Sequence, residues 1–462
     1  AIPLLLLSAD RPPELHDCGA NQTINQTGLF GVHVRASYDL PPADSADPAY
    51  ANHLAARAFS DSNGILPGPV HLNLPFREPL VPSSLQTPPP SAGHLPVPRT
   101  IREPRRGQIA DLADAINGRR GLIVCGWGNG EDGFAEAVSG LAERLRCPLL
   151  ADPLSGLRFG DHPRGTVISG YDAILRNEAY VAQHQPEWVL RFGAMPVSKA
   201  LGTYLQGCGA TDFVLVDTAG RRLDPFRRAT ALLACDAVPL ARALVAASPK
   251  PAPTGWLKGF VEAEQKAVVA EQKPPEARVV RELVGQLPPG SLLFSGNSMA
   301  IREIDSWSGT AAKPLRIVAN RGVSGIDGNV STLAGLAAAH TRRSVGLIGD
   351  LALYHDMNGL LAAREQDLIL VVLNNGGGGI FGYLPQAELA GFERNWLTPT
   401  GLDLEQVAKL YAISYRRVDD AEEFAPALAA ALEHHGPRLI EVMIDRAASL
   451  EAHRRYWAAA AR

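Results

Sequence analysis

SVGLIGDLALYHDMNGLLAAREQDLILVVLNNGGGGIFGYL, residues 344–384, is the stretch from which the rest of the chain is read. A short apolar run, Val345 to Ile348, stops at Gly349-Asp350. An amphipathic segment follows from Asp356, whose side chain can cap a helix start. A second β-branched run, Leu368 to Leu373, ends in Asn374-Asn375 and four glycines, Gly376 to Gly379. The pattern predicts strand, helix, strand. A right-handed crossover makes the two strands parallel and brings Asp350 and Asn375 to one sheet edge, where open α/β sheets bind ligands.

A carboxylate and a carboxamide delivered to one edge are oxygen donors of the kind magnesium or calcium takes, and magnesium completes its shell with phosphate oxygens and water. The glycines let backbone approach a diphosphate closely, and a carbonyl of that turn can be a third protein ligand. A plain Asn-Gly turn after a strand is the competing reading of the same residues.

The Gly-Asp…Asn-Asn pattern resembles the thiamin diphosphate motif of the pyruvate-oxidase and decarboxylase superfamily. GDLALYHDMNGL and NNGGGGIFGYLPQ resemble the 2-succinyl-5-enolpyruvyl-6-hydroxy-3-cyclohexene-1-carboxylate (SEPHCHC) synthases of menaquinone biosynthesis. Leu351 stands where the wider superfamily has Gly and where this subfamily has Leu. Ala352 departs from the subfamily's hydroxyl residue, and the gap from Asp350 to Asn374 is slightly short. The resemblance implies Asp350, Asn375 and the Gly377 carbonyl as ligands of Mg²⁺ (or Mn²⁺). It implies Ser324, Ile326, Leu351, Ala352 and Gly378 as further cofactor contacts, with Ile326 the apolar wedge that bends the cofactor.

Bulk composition agrees with a globular enzyme of about three domains: 462 residues, 46% hydrophobic and 20% charged. A net charge of −4 gives no reason to expect nucleic acid or an anionic membrane as partner. Five cysteines without CxxC spacing point to neither a disulfide framework nor a zinc site, and reduced thiols suit a cytoplasmic setting. No apolar run approaches the roughly 20 residues of a membrane span. Ala1-Ile2-Pro3 leads straight into Leu4 to Leu7, so residue 1 is expected to fall inside a domain.

Residues 1–80 read as a strand at Pro3–Leu7, a helix over Pro48–Phe59 and a strand at Pro69–Leu74. ADRPPELHDCGANQTINQ, residues 9–26, resembles the second half of the family's pyrimidine-binding domain, which implies Arg11 and Gln22, with Asn21 beside them, as substrate-carboxylate contacts. Residues 81–107 read as a Pro-rich linker ending in solvated arginines, Arg102, Arg105 and Arg106. Residues 108–247 read as a Rossmann-like middle domain: strands at Gly121–Cys125, Pro148–Leu150, Trp188–Phe192 and Phe213–Asp217, and a helix from about Asp132 to Arg146. The imperfect glycine turn Gly126–Gly130 is a weak nucleotide signal, since Asp152 comes late for the acidic partner; a scaffold is the preferred reading. Lys199 matches a loop that brings a basic residue to the family's active site.

A second linker, 248–275, precedes the final domain, 276–462. There Glu276 to Leu287 reads as a helix, Leu292–Phe294 as its first strand, and Leu404–Tyr411 and Ala421–Glu433 as helices flanking a strand at Leu439–Ile444. Ser298 and Arg302 fall on one face of a helix start, and a turn-rich segment presents Arg321 and Ser324. Two guanidiniums can grip carboxylates bidentately, or they can pair locally with Glu303, Asp305 or Asp327. The resemblance favours the first and adds Ile380, Phe381 and Leu384 as pocket lining.

The expected fold is α/β, three doubly wound parallel-sheet domains of the thiamin diphosphate-dependent decarboxylase type, the first N-terminally truncated. The resemblance implies decarboxylation of 2-oxoglutarate and addition of the product to isochorismate, in a homodimer or homotetramer. The resemblance places the family's ylide-generating glutamate upstream of the segment matching Ala1, so no catalytic residue is named and turnover by this chain is expected to be weak or absent. The alternatives are another thiamin diphosphate-dependent 2-oxo acid enzyme, a noncatalytic cofactor-binding paralogue, and a nucleotide-binding oxidoreductase resting on Gly126–Gly130.

Overall fold

Fifteen strands, all parallel to their neighbours, form three sheets in the computed structural model, which describes residues 2–42, 44, 47–81, 100–128, 130–269 and 273–460. Most of the Pro-rich linker, including Pro88 to Pro90, and Asn129 of the glycine turn lie outside the described residues. The chain divides into two compact units, Ala1–Ile101 and Arg102–Arg462.

In the first unit β1 (Leu4–Asp10), β2 (Ser37–Asp39) and β3 (Pro69–Pro75) stand in the order β1-β3-β2. The helix Pro48–Ser62 starts where Asp47 accepts from the Ala49 amide, and packs Leu54 and Ala58 onto Val70 and Leu72 of β3. Glu14 of the Arg-Pro-Pro-Glu phrase is held by Arg77 at 2.6 and 3.0 Å, and these hydrogen bonds draw its carboxyl down to about 2. That pairing gives Glu14 a structural role.

The second unit holds two six-stranded sheets. One has β4 (Gly121–Cys125), β5 (Leu149–Ala151), β6 (Val167–Ile168), β7 (Trp188–Phe192), β8 (Asp212–Val216) and β9 (Ala231–Leu233), in the order β6-β5-β4-β7-β8-β9. Its central strands β4 and β7 are buried along their whole length, as befits a sheet covered on both faces. Gly126, which opens the glycine turn, is explained by packing: a Cβ there would lie 1.7 Å from the Ala194 carbonyl oxygen. Asp152 is no ribose acceptor either, being 1% exposed with its carboxylate on the Leu154 and Val197 amides, 2.9 Å each. Arg102 departs from the solvated reading, donating to the Thr218 carbonyl at 2.8 Å.

The last sheet comprises β10 (Ser291–Ser295), β11 (Leu315–Ala319), β12 (Ser344–Gly349), β13 (Leu368–Asn374), β14 (Ser414–Val418) and β15 (Arg438–Met443). Their order is β11-β10-β12-β13-β15-β14. The chain turns left from β10 to β11 and then right to β12, so the strand order reverses between β10 and β12. A crevice outside the carboxyl ends at such a point is where doubly wound sheets take ligands.

One local expectation is corrected in part. Helical structure already starts at Asp350, with Asp350–His355, and a second helical stretch, Met357–Gly359 running on into Leu360–Ala363, does follow Asp356, but the Asp356 side chain makes no capping bond to it. The Asp356 carboxylate instead accepts from the Ser331 amide (2.6 Å) and hydroxyl (2.9 Å), satisfying the first turn of the helix Asn329–Ala339, whose own cap is Gly328. The partner lies 25 residues upstream, out of reach of a local pattern.

The middle and last sheets are joined by a buried guanidinium. Arg158, fully buried, donates to the Ala151 carbonyl at the end of β5 (2.7 Å) and to the Asp305 carbonyl (2.6 Å) and carboxylate (2.5 Å). Tyr171 Oη adds a bond to the same carboxylate at 2.6 Å. Asp305 belongs to the helix Met299–Trp307, so the middle sheet fixes the helix that carries Arg302.

Candidate active site

Strands β12 and β13 pair in parallel with Gly349 opposite Leu373, which sets Asp350 and Asn374-Asn375 side by side at the carboxyl edge. Asp350 is 7% exposed at the first helical position. Burial pushes its carboxyl up to about 6, while the backbone amides of Asp350, Leu351, Gly377 and Asn375 pull the other way. Leu351 is half-buried beside it and Ala352 is buried in the core under the sheet.

The two asparagines divide the work. Asn374 is structural: its Nδ2 donates to Glu441 at 2.6 Å and its Oδ1 accepts from the Gly376 amide at 3.0 Å. Asn375 is different, because its Oδ1 is buried and has no hydrogen-bond partner. A buried acceptor left open costs about 1–3 kcal/mol unless something fills it.

The glycine turn explains itself by space. Gly377 has φ +132°, and a Cβ there would sit 2.3 Å from the Leu397 carbonyl oxygen; at Gly378 it would meet Trp396 O at 2.7 Å. The Gly377 carbonyl accepts from the Gly379 amide at 2.9 Å and keeps a second lone pair. Among the described residues no group of three or more His, Cys, Asp or Glu side chains could hold a metal. A hard cation here would therefore draw on Asp350, Asn375 Oδ1 and a glycine carbonyl, plus oxygens of its own ligand. These donors fit magnesium with a diphosphate, and the orphan Oδ1 is the observation that supports the fit.

Across the strand-order reversal, Ser298 opens the helix Met299–Trp307 with φ +63°. Arg302 Nη1 donates to its carbonyl at 2.6 Å. Arg321 Nη1 donates to Asn297 Oδ1 at 2.6 Å, and Asn297 Nδ2 in turn holds the Asn320 and Gly325 carbonyls at 2.7 Å. Asn297 thus braces the whole Asn-Arg-Gly segment, a role the sequence reading missed although it lies in the same phrase as Ser298. Local pairing of the arginines is not what the structure has: among the described residues neither forms an ion pair, since Glu303 faces His453 and Asp305 faces Arg158. Arg302 is open to solvent yet flanked by protein, and loss of hydration together with the nearby Arg321 charge lowers its pKa. Two cations close together, neither in an ion pair among the described residues, invite an anion.

Ser324 is exposed at φ +60°, and Ile326 packs half-buried against the core of the last sheet. Lys199 is exposed at the start of the helix Lys199–Gly207. Its loop is tied down by the Asp152–Val197 bond and by Ser198, which donates to Asp172 at 2.6 Å; the field of Asp172 reaches Arg302. In the N-terminal unit Arg11 Nη2 touches the Asn21 carbonyl at 3.4 Å, and Asn21 and Gln22 are exposed. Gln22, Ser298 and Ser324 are three of the nine described non-glycine residues with positive φ, the kind of strain that gathers at functional sites.

Ile380, Phe381 and Leu384 lie on and just after the short helical turn Gly379–Tyr383, half-buried, with Phe381 edge-on to Trp396 at 5.4 Å. The same turn borders a cavity of about 570 Å³ whose walls include Met299, Asn375, Tyr383, Leu384 and Glu276. Behind Tyr383 a buried polar cluster occupies the C-terminal helix Arg446–Ala460. Ser449 donates to Glu276 at 2.5 Å, and His453 Nε2 lies 3.2 Å from both Glu303 oxygens. The sequence reading assigned no chemistry to this region; the Ser449/His453 spacing of four, one helix face, was the available signal.

Burial opposes the His453 imidazolium, but Glu303 and Glu276 outweigh it and hold the group at about 9. Burial and the Glu303 charge push Glu276 up to about 7. Both folded values exceed the ordinary 4.5 and 6.5, so the folded chain binds more protons and loses stability as pH rises from about 4.5 to 9. The melting temperature is expected to be lower at pH 9 than at pH 6; a scan showing the reverse would contradict the cluster's charge state.

Comparisons with known proteins give the family. Residues 100–295 match the family model described as the middle domain of thiamine pyrophosphate enzymes, and residues 307–442 match the C-terminal thiamine pyrophosphate-binding domain. The chain is 44% identical to the SEPHCHC synthase of Dechloromonas aromatica, over 96% of this chain and 81% of that one. It is 42% identical to the SEPHCHC synthase of Chloroflexus aurantiacus, over 99% and 80%. With the SEPHCHC synthase of Geobacillus thermodenitrificans the identity is 41%, again over 99% and 80%.

Proposed function

The chain belongs to the SEPHCHC synthase family of thiamin diphosphate-dependent enzymes, and from that premise we propose that it decarboxylates 2-oxoglutarate and joins the remaining four-carbon unit to isochorismate. Carbon dioxide leaves, one C–C bond forms, and the product is SEPHCHC, an intermediate on the way to menaquinone. The observation that carries the reading is the open donor pair, Asp350 and the orphan Asn375 Oδ1, at adjoining strand ends.

Asp350, Asn375 and the Gly377 carbonyl would hold Mg²⁺ or Mn²⁺ and, through it, the diphosphate. Ser324, Ile326, Leu351, Ala352 and Gly378 would contact the cofactor. Thiamin diphosphate, when bound, supplies the carbanion stabilisation that loss of carbon dioxide from a 2-oxo acid requires. The protein's part is to bind, orient and shield. Arg302 and Arg321, which form no ion pair among the described residues, would take substrate carboxylates, helped by Ser298, Lys199, Arg11, Asn21 and Gln22. Ile380, Phe381 and Leu384 would keep water from the reacting carbon.

Assembly as a homodimer or homotetramer is part of the proposal, on the family resemblance, as is a cytoplasmic setting. Among the described residues no helix is long and apolar enough to cross a membrane, and the five cysteines are free. The middle sheet is proposed as a scaffold, since Gly126 and Asp152 are accounted for by packing and by the Lys199 loop. The test is substrate choice: carbon dioxide release with thiamin diphosphate and Mg²⁺ should be faster from 2-oxoglutarate than from pyruvate. A preference for pyruvate would point to an acetolactate-type enzyme instead.

A further inference from the structure

His453 sits where two parts of the proposed substrate site meet. Its Nε2 faces Glu303 on the helix Met299–Trp307, which Trp307 Nε1 also reaches at 2.8 Å. Ser298 and Arg302 ride on that same helix. Its Nδ1 lies 3.0 Å from Tyr383 Oη and 2.9 Å from the Ser449 carbonyl. Tyr383 closes the turn that carries Ile380 and Phe381 and leads into Leu384. One buried imidazole, 3% exposed, therefore touches both the anion-binding helix and the apolar wall.

The cluster reaches the cavity as well. Tyr383 and Leu384 line it, and so does Glu276, whose Oε1 accepts from Ser449 while its Oε2 is buried with no hydrogen-bond partner. A helix held to its neighbour only by apolar contact could slide by a fraction of a turn. Directional bonds from one ring to two elements forbid that, which is the registry use of buried polar groups.

We propose that His453, acting through Tyr383, is a positioning residue: it fixes the turn Gly379–Tyr383 against the helix Met299–Trp307 and so sets the width of the cavity that Asn375, Tyr383 and Leu384 line, beside the proposed substrate groups. The proposal rests on the functional reading above. Nothing in it requires His453 to touch a substrate.

Tyr383→Phe separates positioning from folding, because it deletes one oxygen and leaves the ring packed against His453 and Trp457, centroids 5.5 and 5.7 Å away. In the full chain, amide exchange over residues 377–384 is expected to speed up about tenfold, the worth of one hydrogen bond, while the helix 446–460 exchanges as before. KM for the 2-oxo acid should rise by a similar factor with kcat little changed. Unchanged exchange in the turn, or a loosening spread equally along 446–460, would overturn the proposal in favour of simple packing. Exchange is read without substrate, so its result stands apart from the functional reading, which fails separately if the unmodified chain does not turn over 2-oxoglutarate.

Discussion

Asp350→Asn is expected to weaken binding of magnesium and thiamin diphosphate by more than about 100-fold, beyond the 10–100-fold typical of losing a mere supporting partner of a ligand, and to abolish turnover. The substitution keeps shape and removes charge. Asp350 is a buried carboxyl that burial already holds at about 6, and no protein cation pairs with it among the described residues. Without a bound ion that charge is a liability, so the variant without cofactor should melt no lower than the unmodified chain. Calorimetric titration with the metal and cofactor together, beside a melting curve, reads both effects. Wild-type affinity in the variant would remove Asp350 from the metal site; a large drop in melting temperature would make it a structural residue.

The second large effect concerns stability. Arg158→Met should cost about 3–5 kcal/mol, because it strands the Asp305 carboxylate, 2% exposed, with only Tyr171 for company. Burial pushes Asp305 up to about 7 even with Arg158 beside it, a measure of how badly the site tolerates a lone charge. Pairing the change with Asp305→Leu should recover part of the loss, since the penalty comes from the unpaired partner more than from the missing bond. Urea unfolding of the two variants decides it. A single substitution costing under about 1 kcal/mol, the scale of an exposed ion pair, would mean the buried bridge carries little.

The contrast between these two residues shows what the sequence makes legible. Asp350 and Asn375 stand out because a local pattern, apolar run then Gly-Asp or Asn-Asn-Gly, encodes both the strand and its carboxyl end. Arg158 and Asp305 are 147 residues apart, and His453 and Glu303 are 150 apart, so nothing local announces either pair. The helical stretch after Asp356 was legible, but the Asp356 side chain was misread as the cap for the same reason, its partner Ser331 lying on another helix.

Strands follow the same rule. Every interior strand was anticipated from its apolar run, as was β1, an edge strand rich in leucine. The unanticipated strands, β2, β6, β9, β11 and β14, all stand at sheet edges. Edge strands are short or carry outward charges, as Arg316 does on β11 and Arg416 and Arg417 do on β14, so their apolar signal is weak. At the candidate site, the family phrase nominated the chemical groups, while the structure alone distinguished Asn375 from Asn374 and left Arg302 and Arg321 without an ion pair among the described residues.

The central claim, a thiamin diphosphate-dependent joining of two acids, is tested most directly by the mass of the product rather than by a rate, since identity survives slow turnover. The chain would be incubated with 2-oxoglutarate, isochorismate, thiamin diphosphate and Mg²⁺. A new compound at the summed mass of the two acids less carbon dioxide, absent without the cofactor and absent with Asp350→Asn, is the predicted result. Succinic semialdehyde alone, or the same joined product without the cofactor, would contradict it.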